Sequence, residues 1–201
     1  MSSGLQPRLV LASASPRRQR LLAELGLRFD VRPPEADETP LPNETPAAMV
    51  DRLARDKALA RLEAGELVLA ADTTVAIDGE ILGKPVDAAD ARRMLAAIAG
   101  REHEVFTGVA AAMLDGAGGK RLAVRVARTL VRMRALSAAE IADYVATGEP
   151  LDKAGAYAIQ ELGSLLVDSI DGNFTNVVGL PLPTVADCLA DLGYRLLDFK
   201  K

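Results

Sequence analysis

The sequence predicts a mixed α/β fold with a partly antiparallel sheet, and three observations lead to this fold class. Short apolar runs that are typical of buried strands alternate with segments whose apolar residues recur at helical spacing. Two long strand-like segments flank the turn sequence DGAGG at 115–119, which predicts an antiparallel hairpin. The 201 residues are 49% hydrophobic, which is enough to build one domain over 1–201 and excludes a disordered chain.

The N-terminal half contains three predicted strands and two predicted helices. Apolar runs predict strands at 8–12, 29–31 and 66–71, with an extended continuation at 74–77. Apolar residues at helical spacing predict helices over 16–25 and 47–63. The proline- and acid-rich segment 33–46 is a predicted loop, and Asp78-Gly79 indicates a hairpin turn.

The C-terminal half continues the alternation. Helices are predicted over 87–98, from Ser137 to Gly148, and over 182–192, and Ser137 with Glu140 forms a capping-box pattern. Strands are predicted at 102–114, 121–134 and 165–170, and the segment 149–160 is a predicted loop.

Composition excludes several classes of protein. A net charge of −4, 3% aromatic residues and no Trp argue against a nucleic-acid binder. The single cysteine permits neither an intrachain disulfide nor a cysteine-rich metal site. Neither a signal-peptide core nor an apolar run near the roughly 18 residues of a membrane span is found. We therefore expect a soluble, cytoplasmic protein with no membrane partner.

The segment SASPRR, residues 13–18, puts two arginines at the start of the first predicted helix. Cations there oppose the positive end of the helix dipole, at a cost of roughly 0.3–1 kcal/mol each. An anion bound by Arg17, Arg18, free backbone N–H groups and the Ser13 hydroxyl would reverse that effect. Plain capping of the helix by Ser15 and Pro16 is the alternative interpretation.

Two acidic features offer metal ligands. Asp72 follows the apolar run ELVLAA, and ligands of open α/β sheets bind at the carboxyl ends of strands. The loop sequence PPEADE adds Glu35, Asp37 and Glu38, whose hard oxygen atoms suit Mg²⁺ beside substrate phosphates. A turn-forming role for Asp72 and simple solvation of the loop acids are the alternatives.

Three lysines and one amide complete the candidate site. Lys57 lies on the apolar face of its predicted helix, Lys84 follows a hairpin, and Lys153 lies in a small-residue loop. Gln160 ends that loop with an amide that can pair with the edge of a base. Lysines that merely reach the surface are the alternative. His103, the lone histidine, is assigned a supporting role, because one histidine cannot build a zinc site.

Together these features predict a site for a polyphosphate with a divalent cation, Mg²⁺ or Mn²⁺. Basic residues, strand-end acids and a helix start supply the needed charges and donors. The chain lacks the sequence G-x-x-x-x-G-K-[ST], which excludes an ordinary P-loop enzyme.

Six segments occur in an order that resembles the Maf family of nucleoside triphosphate pyrophosphatases: SASPRR, ADTTV, GKP, HEVFTGV, DKAGAYAIQ and VVGLPL. The resemblance covers nearly the whole chain. It implies an elongated mixed sheet, two lobes with a central cleft, and a fold similar to the inosine-triphosphate pyrophosphatases. It also implies cleavage of a nucleoside triphosphate between its α and β phosphates, a house-cleaning role and a homodimer.

The resemblance is to the dTTP/UTP branch of that family. Asp72-Thr73 and the segment 152–160 match this branch, whereas the branch acting on 7-methyl-GTP reads Asp-Gln at the first site. Arg17, Thr73 and Gln160 fall where the branch has its specificity residues. Ala158 and Glu161 stand where glycine is usual, which leaves the base preference between dTTP, UTP and 7-methyl-GTP to be tested.

On this resemblance, we expect Asp72 to act as general base and, with Asp37 or Glu38, as metal ligand. We expect the triphosphate to be held by Arg17, Arg18, Lys57, Lys84 and Lys153. A nucleotide-binding regulator of cell division or septum formation, without turnover, is the alternative class, since the family was once described as septum-formation inhibitors. The enzyme hypothesis requires Arg17 and Asp72 to face one cavity.

Overall fold

The fold is built on one seven-stranded mixed sheet, seen in a computed structural model that describes residues 6–60 and 62–200. The strands are β1 (Arg8–Ala12), β2 (Asp30–Val31), β3 (Glu66–Ile77), β4 (Glu80–Leu82), β5 (Glu102–Leu114), β6 (Lys120–Met133) and β7 (Val167–Asp171). They lie in the order β2-β1-β3-β5-β6-β7, with β4 also paired to β3. This elongated sheet confirms the predicted mixed α/β class, and β5–β6 is the predicted antiparallel hairpin.

The described residues also contain six α-helices: α1 (Pro16–Glu24), α2 (Pro46–Leu59), α3 (Ala88–Ile98), α4 (Ala138–Ala146), α5 (Phe174–Val178) and α6 (Leu182–Asp191). Five were predicted, with ends that differ from the observed ones by at most four residues. The capping box of Ser137 and Glu140 is confirmed at the start of α4. Ser15 precedes α1 as expected, but its side chain makes no capping hydrogen bond.

The prediction that β3 ends before Asp72 is wrong, because the strand continues to Ile77. Its neighbour changes instead: Glu66–Ala70 pairs in parallel with β1, and Val75–Ile77 pairs in antiparallel with β4. Asp72 therefore lies mid-strand, just past the end of β1. The edge of β3 is open at this point, as a strand end would be.

Alternate residues of β1, β3 and β5 bury opposite faces of the sheet. One face packs on α1 and α6 in a core that includes Leu11, Leu69 and Val109. The other face carries small residues such as Ala70 and Ala110, against which α2 packs. A further core joins α3 and α4 to the far halves of β3, β5 and β6.

The segment between α4 and β7 contains three short 3-10 helices, at Glu149–Asp152, Ala154–Ala156 and Glu161–Leu166. Because the last of these helices extends to Leu166, β7 begins at Val167, two residues after the predicted start at 165. Cys188 is buried and free. Among the described residues, no helix has both the length and the apolar character needed to cross a bilayer.

Candidate functional site

A cavity of about 370 Å³ opens where β1, β3, α1 and the 3-10 segment meet. It lies between two of the hydrophobic cores, since Val178 and Ile159 from one and Val75 and Tyr157 from the other line its wall. The structure brings the predicted site residues to this cavity: Ser13, Arg17, Arg18, Glu38, Lys57, Asp72, Thr73, Lys84, Lys153 and Gln160. Arg17 and Asp72 thus face the same space.

Asp37 is the exception among the predicted site residues. It is exposed and absent from the cavity lining, as is Glu35. The Asp37 carboxylate accepts hydrogen bonds from the backbone and hydroxyl of Thr39, and these bonds lower its pKa. The structure therefore assigns Asp37 a contact within its own loop, and its role as a metal ligand stays a prediction.

Lys57 is held between two carboxylates at the floor of the cavity. Its Nζ donates to Asp72 Oδ1 at 2.7 Å and lies 2.5 Å from Glu38 Oε1. Lys57 and Asp72 are both buried, and Glu38 is about half exposed. The apolar face of α2 carries this lysine inward, as the sequence pattern predicted.

The position of Lys57 depends on a glycine opposite Asp72. Gly108 pairs with Asp72 in the β3–β5 ladder, and a Cβ there would lie 2.0 Å from the carbonyl oxygen of Val50. Helix α2 can approach the sheet only because that side chain is missing. Val50 and Lys57 are two helical turns apart on the same face, so the close approach at Val50 brings the ammonium to Asp72.

The cations around Glu38 control its ionisation. Burial raises the pKa of Glu38. The hydrogen bond from Lys57 and the charges of Lys57, Lys84 and Arg18 lower this pKa by more than burial raises it. The net result is a pKa below the usual value for glutamate. Glu38 is therefore an anion at neutral pH and can serve as a cation ligand.

Arg18 is fastened to the protein by most of its donors. Its Nε donates to the Gly179 carbonyl and its Nη1 to the Ala71 carbonyl, both at 2.7 Å. Nη1 and Nη2 also contact the hydroxyls of Ser13, at 3.3 Å, and Thr73, at 3.0 Å. Burial lowers the pKa of Arg18, and the Asp72 charge opposes this effect. Arg18 thus joins α1, β3 and α5 and orients Thr73.

Arg17, Lys84 and Lys153 also line the cavity, and two of these cations share one carboxylate. Arg17 Nη1 lies 3.6 Å from Asp152 Oδ2, and Lys153 is paired with the same carboxylate. Lys84 is exposed at the cavity rim. The Gly155 amide donates to the Gly83 carbonyl at 3.1 Å, which ties the segment of Lys84 to that of Lys153.

The cavity lining also includes apolar residues and Gln160. Tyr157 lines the cavity, and its hydroxyl lies 2.7 Å from Nε2 of His103, which is buried and outside the lining. Burial lowers the pKa of His103 to about 4, so the imidazole is neutral. This geometry agrees with the supporting role expected for His103.

Asp72 and Glu38 are the carboxylates that fit a divalent cation. They lie on either side of one ammonium, which shows that a positive charge is accommodated between them. No group of three or more His, Cys, Asp or Glu residues suited to a metal occurs in the described part of the chain. The remaining ligands would be phosphate oxygens and water, as is usual for Mg²⁺.

Sequence reasoning missed several polar residues at or beside the site. Asp152 lies in the segment DKAGAYAIQ and pairs with Arg17, and the hydroxyl of Thr107 contacts that of Thr73 at 2.9 Å; local sequence context predicts neither contact. Gly179 accepts the Arg18 bond from 161 residues away. The motif segments HEVFTGV and VVGLPL contain Thr107 and Gly179, and were the only signal for them.

The fold and the cavity define an α/β protein whose candidate site joins basic side chains to carboxylates. The family described as Maf-like protein matches residues 8–192, and the chain belongs to this Maf family. A relative from Anaeromyxobacter sp. (strain Fw109-5), named dTTP/UTP pyrophosphatase, is 54% identical and covers 94% of this chain and 91% of its own. A protein of the same name from Myxococcus xanthus (strain DK1622) is 51% identical, with 95% of each chain covered.

A solved HAM1 protein from Coxiella burnetii is much more distant. It is 20% identical, covers 62% of this chain and 70% of its own, and gives a TM-score of 0.40. That score is too low to support a conclusion about this chain. The family match and the sheet itself carry the assignment of the fold.

Proposed function

We propose that this chain hydrolyses dTTP and UTP to the monophosphate and pyrophosphate, and so removes surplus or modified nucleotides from the pool. The relatives named dTTP/UTP pyrophosphatase, at 51–55% identity over nearly the full chain, support the activity. The single observation that carries the proposal is the cavity in which Asp72, Lys57 and Glu38 alternate in charge while Arg17, Lys84 and Lys153 surround them.

The chemistry follows from these groups. Asp72 accepts a proton from water, whose oxygen attacks the α-phosphorus, and the bond to the α–β bridging oxygen breaks. The electron pair of that bond leaves with pyrophosphate, whose charge Lys84 and Lys153 offset. Asp72 and Glu38 would hold Mg²⁺ or Mn²⁺, and the chemistry that such an ion supplies is neutralisation of phosphate charge.

Thr73 and Gln160 are proposed to read the pyrimidine edge, and Arg17 to contribute to specificity. The Thr73 hydroxyl is oriented by Arg18 and Thr107, which supports a fixed hydrogen-bonding direction. A site built on such bonds penalises a base that leaves them unpaired. Arg18 is proposed to act mainly by holding this arrangement together.

Release of pyrophosphate from a nucleotide panel tests the proposal. Purified protein is assayed with dTTP, UTP, CTP, dGTP and 7-methyl-GTP, each with Mg²⁺, with Mn²⁺ and with EDTA. We expect turnover of dTTP and UTP that EDTA abolishes. Preference for 7-methyl-GTP would overturn the branch assignment. Tight binding of dTTP without pyrophosphate release would overturn the enzymatic proposal and favour a regulator of cell division.

We also infer a single functional domain over 1–201, a homodimer and a cytoplasmic location. The cavity draws residues from β1 through the end of α5, which supports one domain. The family resemblance supports the homodimer, and a nucleotide substrate supports the cytoplasm. Light scattering that gives the mass of one 21.2 kDa chain would contradict the homodimer.

A further inference from the structure

We propose that Glu149, with Tyr144, is a positioning pair that holds the turn 158–163 and thereby orients Gln160 toward the base. The inference rests on the proposed function and deepens it, because it adds a determinant of base selection outside the cavity. Neither residue lines the cavity, and the contact with its cations is made by the backbone carbonyl of Glu149, which accepts from Lys153 Nζ at 3.1 Å and which substitution of the side chain leaves in place. Their effect on a nucleotide would be exerted through the turn.

The carboxylate of Glu149 accepts hydrogen bonds from three donors that lie in two segments of the chain. Its Oε1 accepts from the Tyr144 hydroxyl at 2.8 Å and from the Gly163 amide at 2.9 Å. Its Oε2 accepts from the Leu162 amide at 3.2 Å. Hydrogen bonds to an ionised acceptor are shorter and stronger than neutral ones, so one side chain fixes the C-terminal side of the turn.

Tyr144 fixes the other side of the same turn. Its hydroxyl oxygen accepts from the Ala158 amide at 3.3 Å while its proton goes to Glu149. The turn is also closed on itself, since a Cβ at Gly163 would lie 2.1 Å from the Ala158 carbonyl oxygen. Gln160 lies between these two anchored points and lines the cavity.

The turn needs such anchoring because its backbone is strained. Glu161, directly after Gln160, has φ = 58°, a conformation that side-chain-bearing residues rarely adopt. Loss of the bonds from Leu162 and Gly163 would leave the turn free to relax. The amide of Gln160 would then lose the direction that hydrogen bonding to a base requires.

The test compares Glu149→Gln with the wild type and with Glu140→Gln as a matched control. Gln keeps the shape of Glu149, but its NH₂ group cannot accept an N–H donor. Glu140 undergoes the same change in the exposed capping box of α4, outside the cavity. Steady-state kinetics with dTTP report on the base and the phosphates together. Inhibition by inorganic tripolyphosphate, which has no base, reports on the phosphate site alone.

We expect Glu149→Gln to raise KM for dTTP about tenfold, with the tripolyphosphate inhibition constant within twofold of wild type. Glu140→Gln should change neither. An unchanged KM, or an equal weakening of dTTP and tripolyphosphate, would overturn the proposal. If Glu149→Gln does not fold, Tyr144→Phe removes one donor and the acceptor for Ala158. Tyr144→Phe should raise KM for dTTP about threefold and leave the tripolyphosphate inhibition constant within twofold of wild type. An unchanged KM for dTTP, or an equal weakening of both, would overturn the proposal.

A binding measurement separates this inference from the proposed activity. Should the wild type release no pyrophosphate, the dissociation constant of dTMP is measured by calorimetry for the same variants. An approximately tenfold weaker dTMP affinity in Glu149→Gln would support the positioning pair without turnover. Equal dTMP affinity in the wild type and Glu149→Gln would overturn it.

Discussion

The ammonium of Lys57 donates to the carboxylate of Asp72 at 2.7 Å, and both side chains are at least nine-tenths buried. Removing the ammonium from a charge pair this deep would leave Asp72 as a buried carboxylate without compensation. Glu38 shares the same ammonium from the loop side of the cavity. Lys57 therefore keeps two carboxylates close together at the point where a polyphosphate would bind.

Replacement of Lys57 by Met tests this role. The two carboxylates would face each other without a cation, so Lys57→Met should lower the free energy of unfolding by about 3 kcal/mol. Urea unfolding gives that value. Lys120→Met is the control, since Lys120 is exposed at the start of β6. Equal stabilities of the two variants would contradict the account.

The close approach of α2 to the sheet predicts a large effect at one glycine. Gly108→Ala would place a methyl group 2.0 Å from the Val50 carbonyl oxygen, whereas Gly116 has no atom within 4 Å of its added Cβ. We expect Gly108→Ala to lower the free energy of unfolding by about 3 kcal/mol and to displace Lys57. Gly116→Ala should lie within about 0.5 kcal/mol of wild type. Similar free energies of unfolding for Gly108→Ala and Gly116→Ala would contradict the prediction, because α2 would then be able to move away from the added methyl group.

His103 predicts a pH dependence of stability. Its pKa falls from 6.5 to about 4 on folding, because burial disfavours the imidazolium. Between these values the unfolded chain binds a proton that the folded chain does not, so stability falls as the pH drops from 6.5 towards 4. The full effect is on the order of 3 kcal/mol. The variant His103→Gln lacks this titrating group. The free energy of unfolding of the variant, relative to that of the wild type, should therefore rise as the pH falls. A constant difference across this range would contradict the prediction.

Glu161 predicts a stabilising substitution. It has φ = 58°, and it stands where the resemblance to the Maf family leads one to expect glycine. Glu161→Gly should raise the free energy of unfolding by about 0.5–1 kcal/mol, because glycine adopts this conformation without the Cβ clash. Glu161→Ala keeps the strain and removes the charge, so it should give no gain. An equal increase in the free energy of unfolding for Glu161→Gly and Glu161→Ala would contradict the prediction and would show that loss of the charge causes the effect.

Much of the fold could be predicted from local pattern. The hairpin of β5 and β6, and the inward face of α2 that carries Lys57, follow from alternation and helical spacing. Helix α5 was missed because five residues are too few for a periodic signal. The strand end placed before Asp72 was wrong because the apolar pattern of β3 does not reveal where its neighbour β1 stops.

The candidate site was less accessible to sequence reasoning than the fold. Residues at a helix start or beside a strand, such as Arg17 and Asp72, could be proposed from local context. The bond from Arg18 to Gly179 crosses 161 positions, and the bonds of Glu149 depend on how the turn folds back. No local pattern predicts such contacts, because the chain path between the partners determines them.

The most direct test of the central claim is the rate of pyrophosphate release from dTTP by Asp72→Asn, with Mg²⁺ present and folding verified by circular dichroism. Asp78→Asn is the control, since Asp78 is exposed and paired with Arg101 outside the cavity. The account predicts at least a hundredfold lower kcat for Asp72→Asn, the size of effect expected on loss of a general base. Asp78→Asn should keep its activity. A kcat for Asp72→Asn within twofold of wild type would contradict the account.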